Sequence, residues 1–140
     1  MLVLRFPEYF CCGIAGGGVY DWTLYDSHYT ERFMDTPQAN PEGYAEAGVL
    51  TWVPKVFAPE NASRPAPGAL KITHGTGDDN VHFQNSLLLV DALQKEGYQF
   101  ELMIYPDGMH GYRGKQHLHD QASDHIFWSR HLLCKPAAEQ

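Results

Sequence analysis

Residues 69–105 read ALKITHGTGDDNVHFQNSLLLVDALQKEGYQFELMIY, and this stretch decides the fold. Ala69 to His74 has the length and character of a strand. Gly75 to Asn80 (GTGDDN) is turn chemistry. His82 to Glu96 forms an amphipathic helix with Phe83, Leu87, Val90 and Leu93 on one face, and Gly97 stands where a helix stops. Tyr98 to Tyr105 is a second strand, halted by Pro106. Beyond it, Asp107 to Gly114 is a glycine-rich loop, and His117 to Leu133 a second helix with Leu118, Ala122 and Ile126 four apart. Strand, helix, strand, helix implies an α/β fold with a parallel sheet flanked by helices.

Working back from residue 69, Phe57 to Gly68 (FAPENASRPAPG) holds three prolines and no periodicity, so a loop is expected. Asn61-Ala62-Ser63 within it matches a glycosylation sequon, a pattern that a plain surface loop also produces by chance. Asp35 to Gly43 should be a loop as well. Val19 to Met34 is aromatic-rich, and Trp22, Tyr25, Tyr29 and Phe33 keep the rhythm of one face of a short helix. Phe10 to Gly18 (FCCGIAGGG) is an apolar run ending in three glycines. It suits a buried strand whose exit lets another group approach the backbone. Met1 to Phe10 reads as the last turns of a buried helix entered mid-course, since no capping residue precedes Leu2. The expectation is a truncated domain spanning residues 1–140, with any targeting signal upstream.

The composition narrows the function classes. Of 140 residues, 44% are apolar and 13% aromatic, which supports a packed core and excludes a disordered chain. The net charge of -7 argues against nucleic-acid binding, whose affinity rests on Lys and Arg. No window approaches the roughly 18 consecutive apolar residues of a membrane span. Cys11, Cys12 and Cys134 are too few for a disulfide framework. His117 and His119 lie two apart and His125 and His131 six apart, neither of which stacks two ligands on one helical face, so no metal is expected. No glycine-rich phosphate loop is present, and no cofactor is implied.

Ligands of open parallel sheets gather at the carboxyl ends of the strands. Two such ends carry titratable groups: Asp78 and Asp79 after the first strand, His110 after the second. A carboxylate that accepts a hydrogen bond from one imidazole nitrogen leaves the other free to deprotonate a hydroxyl. An acid followed by a histidine is also the α/β-hydrolase order. An acidic turn that only caps a helix dipole would look the same, and the aromatic stripe equally suits a helix core.

Three blocks carry a family resemblance. His74 to Phe83 (HGTGDDNVHF) resembles the acid loop of the prolyl oligopeptidase family, in its dipeptidyl peptidase IV branch. Tyr25 to Met34 (YDSHYTERFM) resembles the segment lining that branch's specificity pocket, and Tyr105 to Gly111 (YPDGMHG) its catalytic-histidine loop. The resemblance implies the C-terminal part of an α/β-hydrolase fold, with Asp78 as triad acid and His110 as general base. It implies that Asn80 holds a substrate backbone carbonyl, and that Val19, Trp22, Tyr25, Tyr29 and Val81 wall a pocket for a penultimate Pro or Ala. The implied substrate is a peptide, cleaved to Xaa-Pro or Xaa-Ala dipeptides through an acyl-enzyme. A bridge between Cys12 and Cys134 is implied too. Homodimerisation of the full-length protein is left open, and so is the compartment, with a periplasmic or secreted parent favoured.

The departures bear on activity. No Gly-x-Ser-x-Gly elbow exists among these residues, and Ser27, Ser63, Ser86, Ser123 and Ser129 all lack the flanking glycines. The oxyanion tyrosine, the β-propeller and its substrate-gripping glutamates are missing as well. The expected chain is therefore inactive alone. Rival readings are an acylaminoacyl peptidase, oligopeptidase or esterase of the same fold, and a non-catalytic homologue acting as a binding module.

Overall fold

A computed structural model describes residues 1–132. Three parallel strands, β1 (Cys12–Gly16), β2 (Ala69–Gly75) and β3 (Glu101–Tyr105), form one sheet in the order β1-β2-β3. Among the described residues six α-helices accompany it: α1 (Leu2–Arg5), α2 (Ser27–Met34), α3 (Pro41–Ala47), α4 (Val49–Val56), α5 (Gln84–Lys95) and α6 (Gly114–His131). The α/β class, the strand–helix alternation and the sheet direction all agree with the sequence reading. Among the described residues β1 pairs only with β2, which leaves its other edge open.

Side chains of a strand alternate between its faces, and β2 divides the molecule accordingly. Leu70 and Ile72 join Leu4, Tyr20, Val53, Leu89 and Leu93 in the apolar core beneath α4 and α5. Lys71 and Thr73 face the opposite way, toward α6. The Lys71 ammonium donates to Ser123 Oγ at 2.6 Å and Asp124 Oδ1 at 2.8 Å, and Tyr112 donates to Thr73 Oγ1 at 3.3 Å. Lys71 is 1% exposed, so both faces of the sheet are covered.

Several local expectations need correction. In α5 the predicted stripe is rotated: Leu87 is 50% exposed, while Asn85, Ser86, Leu89 and Leu93 are the buried residues. The inward turn is chosen by the hydrogen bonds of Asn85 and Ser86, described below. In α6 Leu118 and Ile126 lie outside, and the inward face carries Ser123, Asp124 and Phe127, because Lys71 beneath it needs a carboxylate. The aromatic segment is not one helix. Asp21 caps a 3-10 turn at Trp22–Leu24, and Asp26 starts α2 by accepting from the Tyr29 amide at 2.8 Å. Residues 35–43 are a loop only as far as Asn40, which caps α3, and the opening segment holds a single helical turn, Leu2–Arg5. The 57–68 loop contains a 3-10 turn at Pro59–Asn61.

The cysteine expectation also changes. Cys12 carries a free thiol, and Cys11 is the disulfide-bonded residue. Adjacent residues of an extended chain point to opposite sides. Cys11 Sγ is the sulfur that turns toward the end of α6, 3.7 Å from the His131 carbonyl oxygen. Cys134 lies outside the described residues.

Candidate active site

The two loops at the carboxyl ends of β2 and β3 are stitched together. Thr76 N–H donates to the Tyr105 carbonyl at 3.0 Å, Gly77 N–H to the Gly108 carbonyl at 3.0 Å, and Asp107 N–H to Thr76 Oγ1 at 2.9 Å. Glycine is required at 75, where a Cβ would overlap the Gly108 carbonyl. These contacts bring residue 110 to residue 78.

Asp78 is 6% exposed, and both of its oxygens are engaged. Oδ1 accepts from the backbone N–H of Asn80 at 3.0 Å and of Val81 at 2.9 Å. Oδ2 lies 3.0 Å from His110 Nδ1 and 3.2 Å from His74 Nε2. Asp79 is exposed, so the first aspartate of the pair meets the histidine. The His110 side chain is 44% exposed. Its Nδ1 edge is held and the opposite edge faces open space, the orientation an acid–base pair requires. Gly17, at the exit of β1, closes the site from below. Its φ is +51°, its N–H donates to the Thr73 carbonyl at 3.0 Å, and a Cβ there would lie 3.4 Å from both Asp78 Oδ2 and His110 Nδ1.

The aromatic residues form a ladder on the surface. Ring centroids of Trp22 and Tyr25 are 6.2 Å apart, of Tyr25 and Tyr29 5.5 Å, and of Tyr29 and Phe33 5.1 Å. Trp22 and Tyr25 are half-buried, Tyr29 and Phe33 are exposed, and the only buried residue of α2 is Thr30. The ladder is therefore not a helix core; the aromatic ring of this segment that enters the core is Tyr20. Tyr25 Oη donates to Asn80 Oδ1 at 2.8 Å, joining the ladder to the acid loop. That bond turns the Asn80 amide so that its N–H2 is the free end. Val81 is buried and Val19 half-buried, each on one of the two segments that this bond connects.

A cleft of about 450 Å³ opens beside Asp78 and His110, lined further by Gly17, Thr73, Tyr112 and Asp120. Asp120 and Asp124 on α6 form its rear wall. Burial, with Asp124 alongside, raises the Asp120 carboxyl above the ordinary carboxylate range. Among the described residues no group of three His, Cys, Asp or Glu could hold a metal ion, and no helix is long and apolar enough to cross a membrane.

The prolyl oligopeptidase family model matches residues 1–134. The chain belongs to this family. Dipeptidyl aminopeptidase B of Saccharomyces cerevisiae is 43% identical over 107 residues, which are 76% of this chain and 12% of the yeast protein. The crystal structure of Porphyromonas gingivalis dipeptidyl peptidase 4 superposes with a TM-score of 0.74 at 37% identity, covering 89% of this chain and 17% of that one. A Bacteroides ovatus protein assigned as a dipeptidyl aminopeptidase IV reaches a TM-score of 0.82 at 33% identity over 93% of this chain and 17% of its own. The 140 residues thus span a small part of the family members they match. Resemblance to the dipeptidyl peptidase IV branch and the α/β-hydrolase architecture both stand.

Sequence reasoning missed three residues around the site. His74 lies inside the quoted acid-loop motif, yet its buried ring, bonded to Ser86 Oγ at 2.7 Å and the Val81 carbonyl at 2.8 Å, carried no role. Asn85 and Ser86 fell within a helix read for its apolar residues. Two adjacent polar residues inside such a helix were the available signal.

Proposed function

We propose that these residues supply the acid, the base and the specificity wall of a serine dipeptidyl peptidase whose nucleophile comes from outside the 140 residues. Asp78 holds the His110 ring through Nδ1. The opposite nitrogen, Nε2, takes the proton of the attacking serine hydroxyl and returns it to the leaving amine as the acyl-enzyme forms; water then releases the dipeptide. Asn80 donates its free amide N–H to a substrate backbone carbonyl. Val19, Trp22, Tyr25, Tyr29 and Val81 bury a flat proline or a small alanine and leave no room for larger side chains.

The observation that carries this reading is the Tyr25–Asn80 hydrogen bond of 2.8 Å, which ties a surface aromatic ladder to the loop bearing Asp78. An acid–base pair alone suits any hydrolase of this fold. A ladder of half-buried and exposed rings one loop away suits a proline-sized subsite. The test is made on the complete peptidase carrying this segment, assayed with Xaa-Pro and acyl-amino-acid chromogenic substrates. Release of the chromophore from Xaa-Pro, abolished in His110→Ala, is the expected outcome. Preference for the acyl-amino-acid reporter would reassign the enzyme within the fold, and no turnover of either would leave a binding module.

A further inference from the structure

We infer that Asn85 is a positioning residue that determines the specificity of the aromatic box. The inference rests on the dipeptidyl peptidase reading and deepens it. Asn85 is fully buried at 0% exposure, in the first turn of α5 beside the apolar core. A buried amide is costly unless its polar atoms are bonded. Its Oδ1 accepts two successive backbone N–H groups, from Tyr20 at 3.1 Å and Asp21 at 3.3 Å. The Tyr20 carbonyl is held from the other direction by the N–H groups of Val49 at 2.8 Å and Leu50 at 3.3 Å, where α4 begins. The Tyr20 ring is sunk in the core.

The chain is thus clamped at Tyr20 on three sides, and the box hangs from that clamp. Asp21 follows and shapes the turn by accepting from Thr23 N–H at 2.9 Å; Trp22 then opens the ladder. Trp22 and Tyr25 are half-buried and Tyr29 and Phe33 exposed, and none of the four belongs to the apolar core, so core packing does not set their positions. Asn85 and Asn80 lie five residues apart on the segment leaving β2. One holds the base of the box through Tyr20 and Asp21, the other its front through Tyr25. Discrimination by size requires walls held to fractions of an ångström. Asn85 provides that by coupling the box to the acid loop.

The experiment has two arms, comparing the original chain with Asn85→Ala, which removes the acceptor, and Asn85→Gln, which keeps an amide carbonyl. In the 140-residue chain, NMR hydrogen exchange at the Tyr20 and Asp21 amides should accelerate at least tenfold in Asn85→Ala. Amides of β2 should hold their rates, and Asn85→Gln should recover most of the protection. Unchanged exchange at those two amides, or equal acceleration throughout the fold, overturns the inference. In the complete peptidase, Asn85→Ala should lower the preference for Xaa-Pro over Xaa-Leu reporters at least tenfold. The loss should appear as a raised KM for Xaa-Pro with kcat within about threefold, and Asn85→Gln should restore it. A preserved preference overturns the specificity role. Absence of Xaa-Pro turnover in the unsubstituted enzyme sinks the dipeptidyl peptidase reading instead, while the exchange arm still decides the clamp.

Discussion

Two carboxylate clusters face the same cleft and are built in opposite ways. Asp78 is met by N–H groups on every side: two backbone amides on Oδ1, His110 and His74 at Oδ2. Asp124 pairs with the Lys71 ammonium at 2.8 Å, while Asp120 Oδ1 is buried without a hydrogen-bond partner among the described residues. A carboxylate whose oxygens are fixed by surrounding N–H groups is held in one orientation and can orient a neighbour. One that depends on a single buried cation is a structural element whose removal is felt in stability. The contrast separates the proposed catalytic acid from a carboxylate tied to a buried lysine within a single cleft.

The largest effect expected from this contrast is catalytic. In the complete peptidase, Asp78→Asn should lower kcat by about 10⁴-fold, the scale seen when a triad acid loses its charge and the histidine its tautomer. Asp124→Asn should leave kcat within a few fold. Steady-state kinetics on an Xaa-Pro reporter checks both, and similar losses in the two variants would erase the distinction. The 140 residues alone, which contain no Gly-x-Ser-x-Gly, should give no turnover above buffer.

Stability should show the reverse order. Asp124→Asn strands the Lys71 ammonium in the interior and should cost about 3–5 kcal/mol in urea unfolding, as for other broken buried pairs. Lys71→Met, which removes the buried charge itself, should cost less. If the two cost the same, the pair is not the element that α6 rests on.

Gly17→Ala probes the floor between the clusters. The left-handed φ of +51° should cost about 1–2 kcal/mol, since the added Cβ strains the backbone. The effect should appear in unfolding as well as in activity. A kinetic defect with no stability loss would mean that contact with the His110 ring, not the backbone, dominates.

The smallest effect belongs to Asp120. Its carboxyl is raised in the folded state by burial and by Asp124, so folding favours the protonated form. As pH rises from the unfolded carboxylate range through the raised folded value, the charged form penalises the fold. That penalty is absent in acid, where both states are protonated, and complete only above the raised folded value. Asp120→Asn should therefore raise Tm at pH 7, and the gain should vanish below the ordinary carboxylate range. Melting curves across that window check the sign; a variant less stable at pH 7 would show that the carboxylate is needed where it stands.

The legible parts of the site were those written contiguously. HGTGDDNVHF carries a strand end, a turn and a helix start in one run, which offered Asp78 and Asp79; resemblance to the family's acid loop singled out Asp78, and YPDGMHG placed His110 after the next strand. Gly97, with φ of +69°, was readable as a helix stop because the conformation belongs to the residue itself. The rotated faces of α5 and α6 were not readable. Leu87 and Leu118 have the right spacing for a buried stripe, but the inward direction is decided by what lies opposite, and opposite lie a histidine, two backbone amides and a lysine. Which of two adjacent cysteines is bonded has the same character, since it depends on which one faces α6.

By itself the sequence determined the α/β alternation, the parallel sheet and the acid-before-base order, because periodicity and turn chemistry are properties of neighbouring residues; the candidate box came from the resemblance of residues 25–34 to a known family. Tertiary structure alone decided that Tyr29 and Phe33 stand exposed while Trp22 and Tyr25 are half-buried, and that Lys71 is buried. It also decided that Asn85 holds the loop of Tyr20. Each of these turns on satisfying buried polar groups, and a buried donor or acceptor finds its partner across space, from segments as distant as residues 20 and 85, where no local pattern can announce it.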